Sequence, residues 1–256
     1  FVQPMLVLRH FIVILRMGQK LTENEDGAGA AVDKVGRFGG ADMALSQEKR
    51  RDRQQKLLAV AEGLIRQGRE VGGFSMAQLA AAGGVSPATP YNLLGTKADI
   101  LAHIVRAEFA RFEVRLSSLP TADPLERLLL ATGAVVDQYA MDRAFYQGLY
   151  SATLTVEDND VRALMGKEGH LLWEALVEDA ISSGQLAGWV RAKPLTDLLL
   201  RIISVTTQTW LADQWSSERF AIEMRHAVTL LLAAAATPDW RERLVNEAAA
   251  AHSQIE

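Results

Sequence analysis

The chain has 256 residues, a formal net charge of −4, and 49% hydrophobic against 23% charged residues, the balance of a soluble globular protein that can bury a substantial core. It contains no cysteine, which excludes a disulfide framework and thiolate metal or nucleophile sites and fits a cytoplasmic location. Abundant alanine and leucine, seven prolines and no run of alternating β-branched residues predict an all-α chain.

Residues 1–45 are expected to lie outside the fold. LVLRHFIVILRM is apolar but is interrupted by Arg9 and His10 and is too short for a membrane helix, and the following GQKLTENEDGAGAAVDKVGRFGGAD has the polar, Gly-rich composition of disorder. Met43 followed by Ala-Leu-Ser reads as a plausible natural start, which would make the segment before it an extension. From Ser46, the run SQEKRRDRQQKLLAVAEGLIRQG sets Leu57, Leu58, Ala61, Leu64 and Ile65 at helical spacing behind a basic head, predicting one amphipathic helix. Arg50, Arg51 and Arg53 on that head suit phosphate contacts equally as well as a solvated charged face.

Phe74 to Leu101, FSMAQLAAAGGVSPATPYNLLGTKADIL, holds three helix starts and a glycine turn. Ser75 and Gln78 have capping-box spacing, Met76, Leu79 and Ala80 make an apolar stripe, and Gly83-Gly84 supply residues able to take positive φ at the end. Ser86 before Pro87 repeats the start signal for a short helix carrying Tyr91, Leu93 and Leu94. Thr96 then caps a third helix with Asp99 in its first turn. Two short helices joined by a tight Gly turn form the unit that puts its second helix in a DNA major groove. Pro90 works against that helix: at about the fourth position it removes the first intrahelical bond and biases Thr89 away from α, which predicts a frayed or tilted start.

The next helix is predicted from Lys97 to about Ser117, carrying Ile100, Leu101, Ile104, Val105, Phe109 and Phe112. Asp123-Pro124 opens one or two more, followed by helices over Val156–Ser183, Pro194–Gln214 and Ser217–Ala236, and a terminal one from Thr237-Pro238 to about Ala250. LTDLLLRIISVTTQTWLADQW and FAIEMRHAVTLLLAAAA are apolar around more than one face and must bury it in a thick core or in a partner. Charge divides along the chain: residues 46–97 hold eight Lys/Arg against four acids, a net +4, whereas residues 98–256 hold 14 against 22, a net −8. A basic module on an acidic body is what phosphate binding by one end requires.

Catalytic constellations are not evident. The histidines, His10, His103, His170, His226 and His252, have no metal-ligand spacing, and Gly72-Gly73 and Gly83-Gly84 follow no predicted strand, so no metal, no cofactor and no enzymatic activity are expected. Phe145, Tyr146, Tyr150, His170, Trp173, Thr206, Gln208 and Trp210 could line a mostly apolar small-molecule cavity; any one of them alone reads more readily as ordinary core.

Leu79-Ala80, Gly84-Val85-Ser86, Tyr91, and Lys97 followed by Asp99, Ile100 and Leu101 resemble the DNA-binding signature of the tetracycline-repressor (TetR) family of transcriptional regulators, over about residues 46–113. The chain departs from it at Gly83, where the family usually has Ala, at Pro90, where it has an aliphatic residue, and at Leu94, where it commonly has Phe. The resemblance implies an all-α chain with a three-helix helix-turn-helix domain over residues 46–100 and a larger helical effector-binding and dimerisation domain over 101–252. It implies a homodimer through the last long helices, about residues 194–236, a palindromic double-stranded operator, no membrane, and release of DNA by a largely apolar small effector as the fourth helix moves. It assigns phosphate contacts to Tyr91 and Lys97 and the base-facing side to Ser86, Pro87, Ala88, Thr89 and Asn92, with Ser75 and the three arginines beside them. The alternative expectation is a helical dimeric binder of a small molecule or protein whose DNA binding is lost at Pro90.

Overall fold

The computed structural model describes residues 40–68, 73–155, 159–212 and 214–255. Ten helices follow in order among them: α1 (Gly40–Gln67), α2 (Met76–Ala82), α3 (Ala88–Leu94), α4 (Lys97–Ser117), α5 (Pro124–Met141), α6 (Arg143–Thr155), α7 (Asn159–Ser182), α8 (Ala192–Leu211), α9 (Ser217–Ala235) and α10 (Pro238–His252). The one β-type pairing among the described residues is an isolated bridge between Leu186 and Ala236. Expectations for residues 1–39 and for a helix start at Val156 lie outside the described residues, and α1 begins at Gly40, before the expected Ser46.

Local chemistry sets most of these boundaries. Asp123 accepts the Glu126 N–H at 2.9 Å with Pro124 at the first helical position of α5, and Ser216 accepts the Arg219 N–H at 3.1 Å to open α9. Between α5 and α6 the sequence left one or two helices open. The structure has two, because Asp142 leaves helical geometry at φ −146° and ψ 63° and its carboxylate then accepts the Phe145 N–H at 3.1 Å to begin the second.

Two apolar cores organise the chain. The head core gathers Leu57, Ala61 and Ile65 of α1, Leu79 of α2, Leu94 of α3 and Ile100, Leu101 and Ile104 of α4, and is completed by Phe145, Leu149 and Ala152 of α6. The body core gathers Leu125 and Leu128 of α5, Val177 of α7, Leu199 and Ile203 of α8, and Phe220, Met224 and Leu232 of α9. Helix α4 belongs to both, since Phe112 and Leu116 in its last turns face the body core. The α1–α6 contact is close enough to dictate a glycine: a Cβ on Gly148 would stand 2.0 Å from the Ile65 carbonyl oxygen.

Gln185 fixes the turn between α7 and α8. Its side chain accepts the Leu125 N–H at 2.9 Å and donates to Asp123 at 2.6 Å, and its carbonyl accepts the Thr237 N–H at 3.0 Å. Among the described residues no helix is long and apolar enough to cross a membrane.

Candidate nucleic-acid interface

Helix α2 is held at both ends by residues that its sequence advertises. Ser75 accepts the Gln78 N–H at 3.2 Å while the Gln78 side chain accepts the Ser75 N–H at 2.7 Å, a complete capping box. At the other end the chain turns on Gly84, at φ +62°; Gly83 keeps a right-handed φ of −79°. A Cβ on Gly83 would meet the end of the Leu57 side chain at 2.6 Å, so a larger residue there would need Leu57 to shift.

Helix α3 forms despite Pro90, and it starts otherwise than expected. The first residue with helical bonding is Ala88, and the residue before it, Pro87, provides no side-chain cap. Ser86 does not cap a backbone N–H: its hydroxyl pairs with that of Thr89 at 2.8 Å. The bond that Pro90 cannot make to the Ser86 carbonyl is replaced by a tighter one, from the Thr89 N–H to that carbonyl at 2.9 Å. Pro90 itself is buried with Leu94 on the inner side of the helix. The expected fraying therefore has no counterpart in the structure, where Ala88 to Leu94 is helical throughout.

Burying Pro90 and Leu94 turns the other side of α3 outward. Ser86, Pro87, Ala88 and Asn92 are exposed, Thr89 is partly so, and Tyr91 is 53% exposed. These include all five residues assigned to base edges and the phosphate-assigned Tyr91. Lys97, the other phosphate candidate, is half-buried, with its ammonium 5.5 Å from the centre of the Phe74 ring; burial pushes its pKa below the ordinary lysine value. Arg50, Arg51 and Arg53 are exposed on α1, and Ser75 is exposed at the start of α2. A flank of α1, the start of α2, the outer side of α3 and the start of α4 thus offer cationic and hydrogen-bonding groups.

No family model matches the chain, and no curated protein is significantly similar in sequence. Solved structures are similar in fold. The fatty acid degradation regulator FadR from Bacillus halodurans superposes with a TM-score of 0.58 at 16% identity, covering 70% of this chain and 94% of that one. A TetR transcription regulator from Haloarcula marismortui gives 0.57 at 19% identity over 73% and 99%. NalD, a secondary repressor of the MexAB-OprM multidrug efflux pump in Pseudomonas aeruginosa, gives 0.56 at 17% over 73% and 99%. The chain has the TetR-regulator fold.

In this TetR-type fold the head is fastened to the body by α6 as well as by α4, a connection that local sequence signals did not reveal. Arg66 of α1 pairs with Asp142 at 2.6 Å and lies 4.9 Å above the Phe145 ring. Beside it, Glu108 of α4 accepts hydrogen bonds from the Tyr146 hydroxyl, from Gln138 at 3.1 Å and from Arg111, which also reaches Glu62 of α1 at 3.9 Å. The Tyr139 and Tyr146 rings pack against each other in a tilted arrangement, with centroids 4.2 Å apart. Desolvation, then the Glu108 charge, pushes Tyr139 up to about 12, and Tyr146 is raised by burial and by its bond to Glu108. These phenols are proton donors throughout the physiological range.

The eight residues proposed for an effector cavity do not converge on one wall. Phe145 and Tyr146 sit in the head core. Trp173 packs in the body core with its ring 6.1 Å from that of Phe112. Trp210 is fully buried between Phe220, stacked at 4.8 Å, and the Arg143 guanidinium at 4.6 Å. Thr206 is buried, whereas Gln208 and Tyr150 are half-buried, and burial raises the Tyr150 pKa. His170 stands between two carboxylates, Glu174 at 3.2 Å and Asp197 at 3.1 Å, joining α7 to α8. Its partners mark it as an inter-helix polar link. Sequence reasoning missed Gln54, Phe74, Glu108, Gln138 and Arg143, each of which has at least one partner distant in the chain.

Proposed function

We propose that this protein is a ligand-responsive transcriptional regulator, acting as a repressor, which binds a palindromic operator as a homodimer and is released by a small-molecule effector. The observation that carries the DNA half is the outward side of α3: Tyr91 and Asn92 are exposed on it, and Arg50, Arg51 and Arg53 are exposed on α1, the helix whose Gln54 bonds to the Leu93 carbonyl of α3. Phosphate contacts from Tyr91, Lys97 and the arginines would set register, and Ser86, Pro87, Ala88, Thr89 and Asn92 would meet base edges.

A seven-residue helix makes few base contacts, so two copies related by a two-fold axis are needed to read half-sites spaced by about one helical turn or a multiple of it. Support for pairing comes from α8 and α9, where Leu198, Val205 and Leu230 remain 45%, 52% and 49% exposed in the single chain. The effector belongs in the body. Three buried polar atoms on α8, the Thr196 and Thr207 hydroxyls and the Trp210 indole nitrogen, have no hydrogen-bond partner, and such groups favour a ligand that can pair with them. Such a ligand controls DNA binding only to the extent that it prefers one arrangement of head and body. The solved relatives named above are described as regulators or repressors, which fits this class of activity.

The test is selection of duplexes from a random pool with the purified protein, followed by light scattering of the free and bound species. A dimer that recovers a two-fold symmetric sequence supports the reading; a monomer at micromolar concentration, or recovery of no shared sequence, removes it.

A further inference from the structure

Helix α3 has little of its own to hold it in place. It is seven residues long, its N-cap provides no side-chain bond, and Pro90 deletes a backbone donor from its first turn. Its C-terminal end is different. The Gly95 N–H closes on the Tyr91 carbonyl at 3.0 Å, and the Leu93 carbonyl, one of the last-turn acceptors that a helix leaves open, receives the Gln54 side-chain amide at 2.7 Å.

Gln54 is partly buried and lies on α1, 39 residues away in sequence. Arg50 and Arg51 precede it by four and three residues, so they share its side of α1. One amide therefore ties the helix carrying the phosphate-facing arginines to the helix carrying the base-facing residues. The donor direction is fixed, since a carbonyl can only accept.

We propose that Gln54 is a positioning residue for DNA recognition: its bond to the Leu93 carbonyl sets the orientation in which α3 is presented relative to the arginines of α1. This rests on the helix-turn-helix reading above. Losing the bond leaves α1 and its charges intact, so binding to DNA in general persists. What is lost is the fixed relation between the phosphate anchors and the base-reading side, on which sequence discrimination depends.

The experiment compares Gln54→Met, close in size but without a donor, with Gln54→Lys, which keeps a donor. The probes are the duplex recovered by selection with the unmodified protein and an unrelated duplex of equal length. Gln54→Met is expected to lower the ratio of specific to non-specific affinity about tenfold, the scale of one hydrogen bond to a semi-buried acceptor, with the salt slope on the unrelated duplex unchanged. Gln54→Lys is expected to restore the ratio while strengthening binding to both duplexes. An unchanged ratio in Gln54→Met, or a parallel loss on both duplexes, overturns the proposal, the second because it marks simple loss of folded protein. Unmodified protein that selects no sequence removes the helix-turn-helix reading and this inference together, whereas selective unmodified protein with an equally selective Gln54→Met variant removes the inference alone.

Discussion

Helices α3 and α4 are neighbours in sequence, separated by Gly95 and Thr96, yet they are stabilised in opposite ways. Helix α4 runs for 21 residues from a complete capping box, in which Thr96 accepts the Asp99 N–H at 3.2 Å and the Asp99 carboxylate accepts the Thr96 N–H at 2.8 Å. Helix α3 has seven residues and no cap, and it is kept helical by burial of Pro90 and Leu94 and by a bond from another helix. Where a helix carries its own signals, its outer side chains and its stability are separate matters. Where it borrows stability from neighbours, its sequence is freed for contact with a partner, and its orientation depends on whatever it is packed against.

The comparison predicts graded effects. The largest belongs to α4: Leu101 is fully buried, so Leu101→Ala should lower the free energy of unfolding in denaturant by about 2–5 kcal/mol. Next comes the junction, where Gly148→Ala forces α6 away from the Ile65 carbonyl and should cost about 1–3 kcal/mol, seen as a lower Tm. A smaller loss, about 1 kcal/mol at neutral pH, is expected for Thr96→Ala. The Thr96 backbone N–H, then its hydroxyl, holds the Asp99 carboxyl below the ordinary carboxylate range. A depressed carboxylate pKa contributes stability above that range and loses it as pH falls through the lowered value, so the gap between Thr96→Ala and the unmodified protein should narrow in acid. The smallest effect sharpens the contrast: Ser86→Ala should change stability by less than about 0.5 kcal/mol, because that hydroxyl caps no backbone group. A loss as large as that of Thr96→Ala would show that α3 is capped after all.

How much of this was legible in the sequence follows the same division. Ser75 with Gln78, Thr96 with Asp99 and Asp123 with Pro124 lie within a few residues of each other, and the helices they predict are present. Gly84 turns the chain as its lack of a side chain suggests. Ser86 misled because the local pattern of a Ser before Pro is overridden four residues on by Pro90, which changes the first turn. Links made at a distance were invisible: Gln54 to Leu93, Arg66 to Asp142, and His170 to Asp197 each join residues that no spacing rule relates. For the same reason the cavity candidates could be identified as aromatic and polar groups on apolar helices, but Phe145 and Tyr146 could not be assigned to the head core nor Trp210 to the body core until α6 was placed against α1.

The most direct test of the central claim is a footprint of the selected duplex with unmodified protein and with Asn92→Ala. Two copies presenting α3 to successive major grooves predict two protected half-sites about one helical turn, or a multiple of it, apart, with Asn92→Ala altering which base pairs are preferred inside them and leaving their spacing unchanged. A single unbroken patch of protection, or a preference that is the same with and without Asn92, would contradict the account.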